Sequence, residues 1–233
     1  MLSALLFGVA ASSALVVGGV AGAFWRPPRP LVAAALAFAS GALITALAFD
    51  LFEESFDTGG VWFSGVGLLV GAAAFVAADE LLDRYIEGAG SGVSGFAILA
   101  AVTLDGIPEN MALGVSLLEG AGSLTLLVAI FASNLPEALG GAVGMRDQGR
   151  TSGFVVLVWV ATALLLAASV VAGNLALSGA SEGLLAFILA FAGGAVLASL
   201  ADTIMPDAYR EGGGLIAFAT AAGFLLSFMI EKS

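Results

Sequence analysis

Two Pro-Glu pairs constrain this chain more than any other feature. They lie in Asp105-Gly-Ile-Pro-Glu-Asn110 and Ser133-Asn-Leu-Pro-Glu-Ala138, each deep inside an apolar run of membrane-spanning length. An acidic residue at the centre of a spanning helix costs about 2.5–3.5 kcal/mol on translocon-type scales, so such residues face a bundle interior, a cavity or an ion path. Each proline also removes one helical hydrogen bond and frees the carbonyl four residues earlier, on Leu104 and Ala132. Irregular backbone at that depth survives only where protein or water satisfies it. The two segments are therefore the first candidates for a binding site.

Composition settles the class. Of the 233 residues, 60% are hydrophobic and 11% are charged, which reads as an all-α, polytopic integral membrane protein with almost nothing left for a soluble domain. A spanning helix needs about 20 apolar residues. The breaks divide the chain into eight such helices, over 2–24, 31–52, 60–82, 92–118, 121–145, 152–176, 183–205 and 213–230, expected to form one transmembrane domain over 1–233.

The seven basic residues are unevenly placed. Arg26 and Arg29 follow span one, Arg84 span three, Arg146 and Arg150 span five, and Arg210 span seven, with Lys232 the exception. The loops after spans two, four and six carry Glu53, Glu54, Asp57, Glu119 and Glu182 and no Lys or Arg. By the positive-inside rule the odd-numbered loops are cytoplasmic and both termini lie outside a cell membrane. Span one has no basic leader, is followed by Arg26-Pro-Pro-Arg29 and shows no convincing cleavage site, so it is expected to be a retained helix.

Several chemistries are excluded. The chain has no Cys and no His, which removes disulfides, thiolate sites and imidazole ligands. No phosphate-cradling Gly-x-x-x-x-Gly-Lys-Ser/Thr loop occurs. An enzyme is not expected, because no nucleophile with a neighbouring base is available; neither a resident cofactor nor a nucleic-acid partner is expected.

An internal repeat is also legible. Phe38-Ala-Ser-Gly-Ala-Leu-Ile-Thr-Ala-Leu-Ala48 in span two aligns without gaps with Phe191-Ala-Gly-Gly-Ala-Val-Leu-Ala-Ser-Leu-Ala201 in span seven. Small residues that let helices pack closely give similar strings for purely structural reasons. Spans two and seven run in opposite directions, however, and so do spans four and five, which both carry a Pro-Glu element. Three helices, an inverted central pair and three more helices is the simplest parsing, and inverted repeats of this kind characterise secondary transporters.

The candidate site is made entirely of oxygen. Asp105 and Glu109 are four residues apart and share a helix face, as do Ser133 and Glu137, with Asn134 one step round. If spans four and five pack together, three carboxylates, a hydroxyl, an amide oxygen and the freed carbonyls converge. Carboxylates so close repel or share protons unless a cation sits among them. A divalent metal fits, and hard oxygen ligands favour Mg, Mn or Ca types, although zinc accepts carboxylates. Asp79, Glu80, Asp83, Asp147 and Glu211 read instead as solvated span ends, and Asp50 and Asp202 as ion guides or caps at opposite mouths.

On these residues the chain resembles the ZIP family of divalent metal transporters over nearly its whole length. Asp105-Gly-Ile-Pro-Glu109 is similar to the family's motif His-Asn-x-Pro-Glu-Gly, and Ser133-Asn-Leu-Pro-Glu137 to its motif His/Gln-Glu/Asp-x-Pro-Glu-Gly. The resemblance implies eight spans in a three-two-three inverted arrangement and metal ligands on the fourth and fifth helices. It also implies a transport unit of spans one, four, five and six that slides against the remaining scaffold, and an assembly that often dimerises. The departures fall at the site: Asp105 stands where the family often has His, Gly106 offers no ligand, Ser133 replaces His or Gln, Asn110 and Ala138 replace glycines, and span six carries no acid. Together these imply one surviving oxygen-rich site and a weakened or absent second one.

The resulting expectation is a transporter of a divalent cation (zinc, manganese or similar) working by alternating access, with Asp105, Glu109, Ser133, Asn134 and Glu137 as metal ligands. Two alternatives stand beside it: a non-transporting relative with a structural cation, and a proton-coupled transporter of another solute.

Overall fold

The computed structural model describes residues 1–89, 94–118 and 124–233, and among them every regular element is helical. Glu119, counted above among the loop acids, and the ends of the neighbouring spans lie outside the described residues. Helix α1 covers Leu2–Phe24, α2 Arg29–Ala46, α3 Glu54–Ala89, α4 Ser94–Ser116, α5 Leu124–Asp147, α6 Ser152–Ala176, α7 Glu182–Ser199, α8 Met205–Gly212 and α9 Leu215–Glu231. Local chemistry sets several of these boundaries. Pro28 caps α2 and Pro30 occupies its first turn, where a missing N–H costs nothing. The Thr151 hydroxyl accepts from the Phe154 N–H at 3.3 Å to start α6.

Two boundaries differ from the sequence expectation. The residues after α2 do not form a loop: a π-helical segment, Leu47–Glu53, runs directly into α3, so Glu53, Glu54 and Asp57 sit on helix. The chain turns instead at Gly60, whose φ of 73° and ψ of 177° are open only to a residue without Cβ. A second π-helical segment, Leu200–Ile204, joins α7 to α8, so the link that carries Arg210 is helical until Gly213 ends it with φ 61°. The two π segments begin at Leu47 and Leu200.

By length and composition, five helical stretches among the described residues can cross a membrane: Leu2–Phe24, Arg29–Ile86, Leu124–Asp147, Ser152–Ala176 and Glu182–Gly212. At 58 residues, Arg29–Ile86 is far longer than one crossing requires, and it is the stretch broken at Gly60. Helix α9, at 17 residues, is apolar but shorter. Large apolar side chains cover the outside, among them Leu69, Leu164, Leu215 and Phe218. This is a multi-pass membrane protein.

The helices associate in two groups. In one, α1 packs against α5 and α6, and α4 against α6; in the other, α3 packs along α7 and α2 along α9. The groups meet chiefly where α2 crosses α5 and α4 crosses α7. Without a hydrophobic drive between helices in lipid, close backbone approach has to supply the packing. Glycines supply it in reciprocal pairs. A Cβ on Gly41 would strike the Thr220 carbonyl oxygen, and one on Gly223 the Phe38 carbonyl oxygen, across α2 and α9. Gly194 and Gly71 do the same to the Leu68 and Phe191 carbonyls across α7 and α3. Hydrogen bonds reinforce the contacts: Thr45 Oγ1 donates to Phe224 O at 3.2 Å, Ser227 Oγ to Ala42 O at 3.3 Å, and Asn174 Nδ2 of α6 to Gly114 O of α4 at 3.1 Å.

Polar contacts bring the links after α1 and α5 and helix α8 to one end. Arg26 reaches Asp147 at the end of α5 (2.9 Å), Arg29 reaches Glu211 of α8 (3.7 Å), and Ser152 Oγ donates to Ala23 O at 3.2 Å. The ion pairs are exposed and each contributes about 0–1 kcal/mol, so they report topology more than stability.

The glycine contacts carry a direct test. Gly194→Ala is expected to destabilise the protein by about 1–3 kcal/mol through overpacking, read as a lowered thermal midpoint in detergent. Gly65→Ala, where an added Cβ meets nothing within 4 Å, should leave the midpoint in place. Equal midpoints for both variants would contradict the packing described.

Candidate metal centre

Helices α4 and α5 run through Pro108 and Pro136 without ending. The carbonyls of Leu104 and Ala132 therefore lose their helical donors, as the sequence requires. Around these points the polar side chains are withdrawn from the outside. Glu109 is 5% exposed, Ser133, Asn134 and Asn110 are buried, and Asp105 and Glu137 are half-buried.

The carboxylates of Asp105, Glu109 and Glu137 lie within repulsive range of one another, so the structure brings the two Pro-Glu turns together. Among the described residues no group of three carboxylates closes tightly enough to grip one ion. The three charges face one another across α4 and α5 and do not share a single ligating point. Ser133 Oγ donates to Ile130 O at 3.1 Å, which leaves its lone pairs available. Asn134 is buried with its Nδ2 unpartnered among the described residues. Carboxylate oxygens for a hard or borderline cation are present on both helices, with the Ser133 hydroxyl beside them.

The departures at Gly106 and Asn110 have a steric explanation. A Cβ on Gly106 would meet the tip of the Leu166 side chain, a fully buried residue of α6, so any side chain there requires Leu166 to shift. Asn110 folds back and donates Nδ2 to Gly106 O at 2.8 Å, burying an Oδ1 that has no partner among the described residues. Ser12 Oγ and Trp159 Nε1 are likewise buried without one. With Asn110 and Asn134, and with Ser199 Oγ of α7, such groups occur on α1, α4, α5, α6 and α7 among the described residues.

Two further acids, both named from the sequence, lie nearer the site than the linear order suggests. Asp79 of α3 approaches Asp202 in the π segment after α7, and it feels the charges of Asp83 and Asp105. Ser199 Oγ of α7 faces Asp105 without making a hydrogen bond of normal length. Asp79, expected above to be a solvated span end, therefore extends the carboxylate series from α4 towards α3 and α7. The available signal was the Asp79-x-x-x-Asp83 spacing, which puts both acids on one helix face.

No family model matches the chain. It is similar to the zinc transporter GufA of Myxococcus xanthus, with 34% identity over 145 residues covering 60% of this chain and 56% of that one. It is also similar to an Arabidopsis thaliana protein named for zinc transport, with 25% identity over 182 residues covering 74% of this chain and 29% of that one. The chain thus spans little more than half the length of the first curated relative and under a third of the second.

The collision at position 106 yields a paired prediction. Gly106→Asn should lower stability by about 1–3 kcal/mol, and Leu166→Ala introduced beside it should restore part of the loss in the same thermal assay. Full tolerance of Gly106→Asn alone would contradict the packing of α6 against the site.

Proposed function

We propose that this chain, a ZIP-like relative of proteins named for zinc transport, carries zinc or a similar divalent cation across a membrane. The observation that carries the reading is the placing of a buried Glu109 and a half-buried Glu137 beside prolines inside α4 and α5, with Asp105 within range of both. In this reading the three carboxylates and the oxygens of Ser133 and Asn134 draw together on the cargo as it binds, closing an arrangement that is otherwise too open to grip one ion. Asp79 and Asp202 continue the acidic path towards α3 and α7.

Eight crossings follow if Arg29–Ile86 counts as two, divided at Gly60, and if α4 and α9 count as one each. What supports an inverted repeat is the reciprocal use of glycine: α2 meets α9 through Gly41 and Gly223, as α7 meets α3 through Gly194 and Gly71. The π segments at Leu47 and Leu200 fall at aligned positions of the two strings. The group formed by α1, α4, α5 and α6 is then the moving unit, and alternating access arises as it shifts against α2, α3, α7 and α9. The arginine-bearing end faces the cytoplasm of a cell membrane and both chain ends face outside.

Zinc uptake into proteoliposomes tests the proposal. Saturable flux is expected from the wild type, and Glu109→Ala or Glu137→Ala should lower it by at least about tenfold while the thermal midpoint stays near that of the wild type. Zinc-dependent stabilisation without flux, or flux unchanged in both variants, would contradict it.

A further inference from the structure

Arginines sit at the ends of α1, α3 and α5 and within α8, whereas the chain's only lysine, Lys232, follows α9. Its ammonium is held in a defined place. Lys232 Nζ lies 4.8 Å from the ring centre of Phe49 and 6.0 Å from that of Phe228. Those rings are part of a ladder, with Phe228 stacked on Phe224 at 6.3 Å and tilted against Phe49 at 5.8 Å. A lysine on a four-carbon stem ordinarily sweeps through solvent; capping the ring faces restrains it. Phe49 is in the π segment after α2, so the ladder fastens the end of α9 to the helix that carries Asp50 and Glu53.

The ammonium borders a cleft of about 370 Å³ that is otherwise lined with Phe49, Thr58 and the acids Glu53, Glu54, Asp57 and Glu231. A surface lined with one sign of charge concentrates ions of the opposite sign. Here the concentration is opposed by a cation that the protein itself supplies.

We propose that Lys232 is a tethered competitor of the cargo, a residue that sets the affinity with which a divalent cation is taken up at this mouth. The inference rests on the transport reading above and adds a determinant of apparent affinity to it. The effect is electrostatic and needs no contact between Lys232 and the ion. Removing one unit charge about 10 Å from a divalent ion in water changes occupancy by about fourfold. At about 0.5 M salt the Debye length is only a few ångströms and the effect vanishes. A merely structural role for the ring ladder would instead lower the thermal midpoint and ignore salt.

The experiment compares wild type, Lys232→Gln and Lys232→Arg in zinc uptake at about 0.02 and 0.5 M salt. Mn²⁺ titrations of the purified proteins, followed by electron paramagnetic resonance, run in parallel. Lys232→Gln is expected to lower KM about fourfold at low salt, with maximal rate and thermal midpoint unchanged and the difference lost at high salt. Lys232→Arg should match the wild type, and Glu53→Gln with Asp57→Asn should shift KM in the opposite direction, raising it at low salt. An unchanged KM at low salt, or equal shifts in Lys232→Gln and Lys232→Arg, overturns the proposal. Absence of zinc flux in the wild type retires the transport reading alone, because the Mn²⁺ titration then decides: about fourfold tighter binding to Lys232→Gln at low salt upholds the role of Lys232, and equal binding at both salts overturns it.

Discussion

Placing a carboxylate inside a bilayer costs about 2.5–3.5 kcal/mol even when the helix that carries it inserts, and the proposed function asks this chain to do so on both α4 and α5. Glu109 and Glu137 cannot be left to lipid, so α4 and α5 must be enclosed. The enclosure comes from α1 and α6 on one side and from α2 and α7 on the other. Each acid follows a proline that strips one hydrogen bond from its helix, which adds an unsatisfied carbonyl to the same interior. Burial, broken backbone and charge therefore occur at one depth, and the remaining helices are arranged to tolerate them.

Packing of that kind needs helices that approach more closely than large side chains allow. Gly41, Gly71, Gly194 and Gly223 bring carbonyl oxygens of neighbouring helices to where a Cβ would stand. The contacts lie within α2 and α9 or within α3 and α7, and Gly114 with Gly173 does the same for α4 and α6. Tight glycine contacts thus fall inside each helix group. The two groups meet through α2 with α5 and α4 with α7, and the candidate ligands lie on α4 and α5.

Much of this was legible in the linear order. The Pro-Glu turns, the oxygen-only ligand set and the small-residue strings at Phe38 and Phe191 all follow from residue type and spacing. Three things were not. The π segments depend on how one extra residue is accommodated by neighbouring helices, which no local propensity encodes. The turn at Gly60 was obscured because Glu53, Glu54 and Asp57 look like a polar loop, whereas packing keeps them helical. The approach of Asp79 to Asp202 and Asp105 could not be read because those partners lie on other helices and are far away in sequence. Gly106 shows the opposite case: its missing side chain is visible in the sequence, but the reason for it, Leu166, appears only in three dimensions.

The central claim, that Glu109 and Glu137 hold the cation, is tested most directly by zinc K-edge absorption on the purified, zinc-loaded protein and on the Glu109→Gln, Glu137→Gln double variant. The account predicts an oxygen shell at about 2.0–2.2 Å in the wild type that is lost from the double variant. The same shell persisting in the double variant would contradict it, because the zinc would then be held elsewhere.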